Sequence, residues 1–143
     1  VGEGASAIAG GAHANEVDIA WAEAVLGSVG LVVRVPETQL DVVTGMAGSG
    51  PAYLFLVAEA LMDAGVASGL PRTTAETLVR QLFVGSAKLL AQGEAPADLR
   101  ASVTSPGGTT AAGVSVLETE AVRAAFIQAV KAATDRSREL GNR

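Results

Sequence analysis

The sequence predicts an all-α fold with one short extended piece at its front. Three observations carry that reading. Hydrophobic residues fill 49% of the 143 positions while aromatics fill only 3%, so the apolar content is Ala, Val and Leu, which suits closely packed helices. From residue 16 onward, successive stretches place helix-starting and helix-stopping residues around apolar runs. Leu31-Val32-Val33-Arg34-Val35, between Gly30 and Pro36, is the clear β-branched run and reads as a short strand.

The elements follow in order. Residues 1–11 are rich in Gly and Ala, with an extended look around Ala5 to Ala9. Asn15 is placed to cap a helix over about 16–28, with Val17, Trp21, Ala24 and Val25 on one face. After the strand, a brief helix is expected near Gln39 to Thr44. Pro51 to Ala67 forms the first long helix, ended by Gly69 and then Pro71. Thr73-Thr74-Ala75-Glu76 has the pattern of a capping box for a second long helix running to about Gln92. Leu78, Leu82, Gly85 and Leu89 share a face of it, and Gly85 would let another helix come close. Pro96 opens a shorter helix to about Ser102, another covers about 110–117, and the last runs over about 120–140. The last has Val122, Phe126, Ala129, Val130 and Ala133 as its buried stripe. Charges of both signs from Lys131 to Arg138 mark its solvated end.

Composition excludes several functions. The net charge is −5 and no Lys/Arg run exists to neutralise phosphates, which argues against nucleic acid. With no cysteines, disulfides, thiolate catalysis and cysteine-held metals are excluded. A single histidine, His13, makes a zinc site improbable, and no metal is expected. The first residues lack the pattern of a signal peptide, and cytoplasmic residence is compatible with the rest. Tyr53 to Met62 is interrupted by Glu59 and followed by Asp63; it reads as a buried helix, not as a membrane span. Charged residues are only 17% of the chain, which suggests apolar faces covered by a partner subunit.

The most informative segment is Val103-Thr104-Ser105-Pro106-Gly107-Gly108-Thr109-Thr110. Two glycines, a proline and four hydroxyls stand between helices. Such a turn aims free backbone N–H groups at one point, which suits a carboxylate or phosphate. On its own it reads equally as a helix-capping turn. Gly48-Ser49-Gly50-Pro51-Ala52-Tyr53 forms a second special turn, with Pro51 placed for the first helical turn. Elsewhere the ordinary readings compete with chemical ones. His13 in a Gly/Ala-rich loop is a possible base or a surface residue; Glu59 and Asp63, a turn apart, are paired carboxylates or solvated charges. Lys88 is a desolvated amine or a snorkelling stem, and Tyr53 a reactive phenol or a core ring. Gly2-Glu3-Gly4 is not a dinucleotide fingerprint.

GSGPAY, then Gly69-Leu70-Pro71-Arg72, then VTSPGGTT, in that order, closely resemble pyrroline-5-carboxylate reductase. The resemblance runs from Val1-Gly2-Glu3-Gly4 to Arg136-Ser137-Arg138-Glu139-Leu140. It implies an intertwined helical-bundle dimerisation and substrate-binding domain over residues 46–143. Residues 1–45 would be the end of a Rossmann-like cofactor domain and its connecting elements. It implies hydride transfer from NADPH or NADH to 1-pyrroline-5-carboxylate, giving L-proline, in a homodimer or a ring of dimers. Ser105, Gly107, Gly108, Thr109 and Thr110 would bind the substrate, with the Thr110 hydroxyl beside its nitrogen as the catalytic contact and Ser49 as a candidate contact to the cofactor. Many members have Ser where Ala47 stands, which removes one hydroxyl from that turn. The family's cofactor domain precedes this region and the chain has no initiator Met, so it is expected to be a C-terminal part, inactive alone. Two other readings stay open: a related dehydrogenase of another small imino or hydroxy acid, and a non-catalytic helical assembly module.

Overall fold

A computed structural model describes residues 1–141; Asn142 and Arg143, the end of the expected 46–143 segment, lie outside the described residues. The chain divides into two compact units, one built from Val1–Pro51 with the end of the chain from Ala125, the other from Ala52–Ala124.

The first unit opens on β1 (Gly4–Ile8), α1 (Glu16–Gly27) and β2 (Gly30–Arg34). The strands pair in parallel from Gly4 opposite Gly30 to Ile8 opposite Arg34. Gly30 is required by this pairing, because a Cβ there would overlap the Gly4 backbone, with the Gly4 carbonyl carbon at 2.6 Å. Asn15 caps α1 as expected: its Oδ1 accepts from Val17 N–H at 2.8 Å and Asp18 N–H at 3.2 Å, while Asp18 accepts from the Asn15 N–H at 2.9 Å. Asn15→Ala is expected to lower stability by about 1 kcal/mol, measured as a shift in the denaturant midpoint.

The expected face of α1 is the wrong one. Val17, Trp21 and Val25 are exposed, at 77%, 69% and 49%, while Ile19, Ala22 and Leu26 are the half-buried apolar side chains. Both sets recur at helical spacing, and only the surroundings choose between them. Arg34, at the end of β2, donates to Glu23 through Nε (2.5 Å) and Nη2 (2.6 Å) and also to Glu16. These hydrogen bonds hold the Glu23 carboxyl below its ordinary range and push the Arg34 guanidinium up. A depressed carboxylate stabilises the fold above its unfolded pKa and loses that contribution as pH falls through the folded value. Arg34→Met is therefore expected to raise the Glu23 titration midpoint toward the ordinary carboxylate range, read by NMR.

Glu37–Gln39 forms a 3-10 turn, Leu40–Val43 the short α2, and Thr44–Gly48 a π-helical turn that bends at Ser49 into α3 (Gly50–Ala67). The brief helix and the GSGP turn of the sequence reading are thus parts of one helical path. The Ser49 N–H donates to the Thr44 carbonyl at 2.9 Å, five residues back, the bond of a π turn. Gly45 is buried against α7 (Val122–Gly141): a Cβ on it would stand 2.8 Å from the Val130 carbonyl oxygen and 2.9 Å from the Thr134 nitrogen. On α7, Val122, Ala129, Val130 and Ala133 are half-buried as expected, but Phe126 is 40% exposed. Polar Thr134 is the most buried residue of that helix, its hydroxyl donating to the Val130 carbonyl at 2.8 Å.

In the second unit α3 ends at Gly69, whose φ of +103° suits glycine. Gly69 N–H bonds Val66 and Leu70 N–H bonds Gly65, both at 3.0 Å, the Schellman pattern. α4 (Arg72–Leu90) starts earlier than the expected capping box allows. The Pro71 carbonyl receives the first helical bond from Ala75 N–H at 3.0 Å, so Thr73 lies inside the helix and caps nothing. Thr77 instead donates to the Thr73 carbonyl. α4 stops at Leu90, and the chain turns at Gly93, φ +93°. Its buried residues are Ala75 and Val79; Leu78, Leu82 and Leu89 are half exposed, and a Cβ on Gly85 would meet nothing within 4 Å. α5 (Pro96–Ser102) and α6 (Thr109–Thr119) follow.

The expected burial of α3 is also overturned. The helical path Glu37–Ala67 spans 31 residues, has a stretch of mean hydropathy 1.3, and only 6% of that stretch is buried. By length and composition alone it is long and apolar enough to cross a membrane. The apolar side chains of α3 lack sufficient cover within one copy of the chain.

Candidate functional site

The loop from α5 to α6 distributes its hydroxyls by distance. Ser102 donates to the Leu99 carbonyl at 2.8 Å and Thr104 to the Arg100 carbonyl at 2.6 Å, so both serve the end of α5. Ser105, Thr109 and Thr110 make no such return bond to α5, which leaves three hydroxyls for a ligand.

Ser105-Pro106-Gly107-Gly108 is a tight turn closed by a 3.0 Å bond from Gly108 N–H to the Ser105 carbonyl. Pro106 at the second position and Gly107 at the third, with φ +69°, are the residues of a type II turn. The Gly108 N–H is therefore engaged within the turn and is not a donor for a ligand. Gly108 contributes by its missing side chain: a Cβ there would lie 2.5 Å from Ser105 Oγ and 3.1 Å from the Ser105 carbonyl oxygen. It is also the N-cap of α6, with φ −79° and ψ 171° and no side-chain cap. The first helical bond runs from Ala112 N–H to the Gly108 carbonyl at 3.1 Å. The N–H groups of Thr109, Thr110 and Ala111 precede it and point out of the helix start, where the dipole favours an anion. Thr110 and Gly108 are half-buried, while Ser105, Gly107 and Thr109 are exposed. The arrangement can hold one carboxylate and set one hydroxyl beside it. The far end of α6 is tied by Arg123, which holds the Glu118 carboxyl below its ordinary range by hydrogen bonds of 2.7–2.9 Å.

The loop's five candidates come together because they are contiguous; all belong to the second unit, while Ser49 belongs to the first. Ser49 is half-buried at the bend after the π turn. His13 lies in an exposed turn before α1, Lys88 is exposed near the end of α4, and Asp63 is ion-paired with Arg72 at 2.7 Å. Among the described residues no group of three His, Cys, Asp or Glu side chains converges as a metal site. Not foreseen from the sequence are Asp41 and Ser137, which bond to each other in the first unit, and Gly45, which packs there on Val130 and Thr134; nothing local in the chain points to a pairing of residues 96 apart.

Residues 37–140 match the family model for pyrroline-5-carboxylate reductase dimerisation. The chain belongs to the pyrroline-5-carboxylate reductase family. A pyrroline-5-carboxylate reductase from Synechocystis is 50% identical over 144 residues, covering all of this chain and 54% of the relative. The solved structure of a pyrroline-5-carboxylate reductase from Coxiella burnetii superposes with a TM-score of 0.92 at 38% identity, over 97% of this chain and 52% of that one. The Plasmodium falciparum pyrroline carboxylate reductase, solved with NADP bound, gives 0.88 at 33% identity, over 98% of this chain and 54% of that one. The chain thus spans about half the length of the reductases it matches.

Proposed function

We propose that a full-length polypeptide containing this chain reduces 1-pyrroline-5-carboxylate to L-proline with NADPH or NADH, in the cytoplasm, as a homodimer or a ring of dimers. Residues 46–143 are the substrate-binding and dimerisation part, and residues 1–45 the end of a Rossmann-like cofactor domain. The single observation that carries the reading is the Ser105–Thr110 turn at the start of α6, with unspent N–H groups and one half-buried hydroxyl in a chain of this family.

The substrate is a cyclic imine bearing a carboxylate. The N–H groups of Thr109, Thr110 and Ala111 hold that carboxylate, with the Ser105 hydroxyl as a further donor and the Gly107–Gly108 backbone shaping the approach. The Thr110 hydroxyl sits beside the ring nitrogen and accepts the hydrogen bond of the protonated imine, which orients the C=N carbon. When bound, the nicotinamide cofactor supplies the hydride. The only βαβ unit among the described residues joins β1 to α1 through Gly10-Gly11-Ala12-His13-Ala14, which is no Gly-x-Gly-x-x-Gly turn. Among the described residues, Ser49 is the candidate contact to the cofactor. The exposed apolar side chains Leu54, Phe55, Leu56, Leu78, Leu82 and Leu89 of α3 and α4 form the surface that a second copy covers.

The test is NAD(P)H oxidation by the full-length polypeptide with 1-pyrroline-5-carboxylate, with L-proline as competitor. Turnover inhibited by L-proline is the expected result. Binding of nicotinamide without turnover would move the reading to another imino or hydroxy acid, and a dimer that binds neither ligand would be an assembly module.

A further inference from the structure

We infer that Asp41, Gly45 and Ser137 are positioning residues for the π-helical turn that carries Ser49; the inference rests on Ser49 facing the nicotinamide cofactor in the proposed reaction. A π turn has a wider ring and poorer local bonding than an α turn, so its place is set by what it packs against. Here two anchors on α7 set it. The Ser137 hydroxyl donates to Asp41 Oδ1 at 2.6 Å, a part-buried bond between residues 96 apart in sequence. One helical turn further on, Gly45 seats its bare Cα against the α7 backbone at Val130 and Thr134, so close that no side chain fits. Asp41 and Gly45 are four residues apart and share one face of the path. The Ser49 N–H then closes the π turn onto the Thr44 carbonyl. Thr134, 5% exposed, keeps its own hydroxyl on the Val130 carbonyl and so presents a smooth surface to Gly45. Both anchors precede Ser49 within one and two turns, and both rest on α7, so Ser49 inherits its position from α7.

The experiment compares Ser137→Ala, Asp41→Ala and Asp41→Asn in the full-length enzyme. Three readouts are taken: hydrogen exchange of the 44–49 amides, Kd for NADPH by fluorescence titration, and KM for each substrate. Losing one such bond is expected to raise the Kd and KM for NADPH roughly three- to ten-fold, with the KM for 1-pyrroline-5-carboxylate within two-fold. Exchange at 44–49 should quicken in Ser137→Ala and Asp41→Ala. Asp41→Asn keeps an acceptor for the Ser137 hydroxyl and should restore both values. Unchanged exchange and unchanged NADPH Kd in Ser137→Ala and Asp41→Ala would overturn the inference, as would equal losses in every parameter that simply follow thermal stability. A wild-type protein without turnover overturns the proposed reaction instead, and the exchange and binding readouts still decide the anchors.

Discussion

Thr110→Ala in the full-length enzyme is expected to lower kcat/KM for 1-pyrroline-5-carboxylate ten- to a hundred-fold, with protein stability nearly unchanged. In the proposed reaction the hydroxyl removed is a hydrogen-bond partner of a charged group, worth about 1.5–3 kcal/mol where solvent is largely excluded. Thr110 is half-buried at the second position of α6, where a side-chain hydroxyl is not needed to cap the helix: the N-cap is Gly108 and the first helical bond comes from Ala112. Alanine is also the better helix former, so the fold should tolerate the change. Steady-state kinetics with the imine varied is the measurement, and Thr110→Ser should recover most of the activity by restoring the oxygen. A change below two-fold in Thr110→Ala would remove this residue from the reaction.

The second large effect is on stability. Gly45→Ala is expected to cost about 2–3 kcal/mol, because the new methyl would stand 2.8 Å and 2.9 Å from backbone atoms of α7 that cannot rotate away. The contact can be relieved only by moving α7 off the path that precedes α3. Gly48→Ala, three residues later, is the matched control. Its Cβ would meet only Thr44 Cγ2, at an ordinary 3.8 Å, and its effect should stay within about 0.5 kcal/mol. Urea unfolding of both variants, with midpoints compared at equal slope, separates the steric cost from the general effect of losing a glycine. Equal midpoints for the two variants would show that Gly45 does not sit at a tight crossing.

Much of the candidate site was legible because its determinants are local. The proline and the glycine pair of Ser105-Pro106-Gly107-Gly108 permit one kind of turn, and the helix starting at Thr109 follows from where that turn ends. Which N–H groups remain free was not legible. Gly108 stands among the residues expected to bind the substrate, and only the 3.0 Å closure onto Ser105 shows that the turn consumes its N–H. The same limit applies to Thr104, whose hydroxyl looks like part of the site until its bond to Arg100 is seen.

The fold divides along the same line. Three element ends follow from the chain itself: the Asn15 cap of α1, the Gly69 stop of α3 and the Pro96 start of α5 each rest on a backbone angle or a bond spanning a few residues, whereas α4 is capped at Pro71 and not at Thr73. Tertiary structure decided which faces are covered and how helices join. It covered Ile19, Ala22 and Leu26 of α1 rather than Val17, Trp21 and Val25, and it set a π turn between the brief helix and α3. It also left α3 exposed despite its apolar sequence. The physical reason is range. Caps and turns depend on torsions and hydrogen bonds within one or two helical turns, whereas the choice of a buried face depends on side chains tens of residues away or, for α3, on surface that a single copy of the chain does not supply.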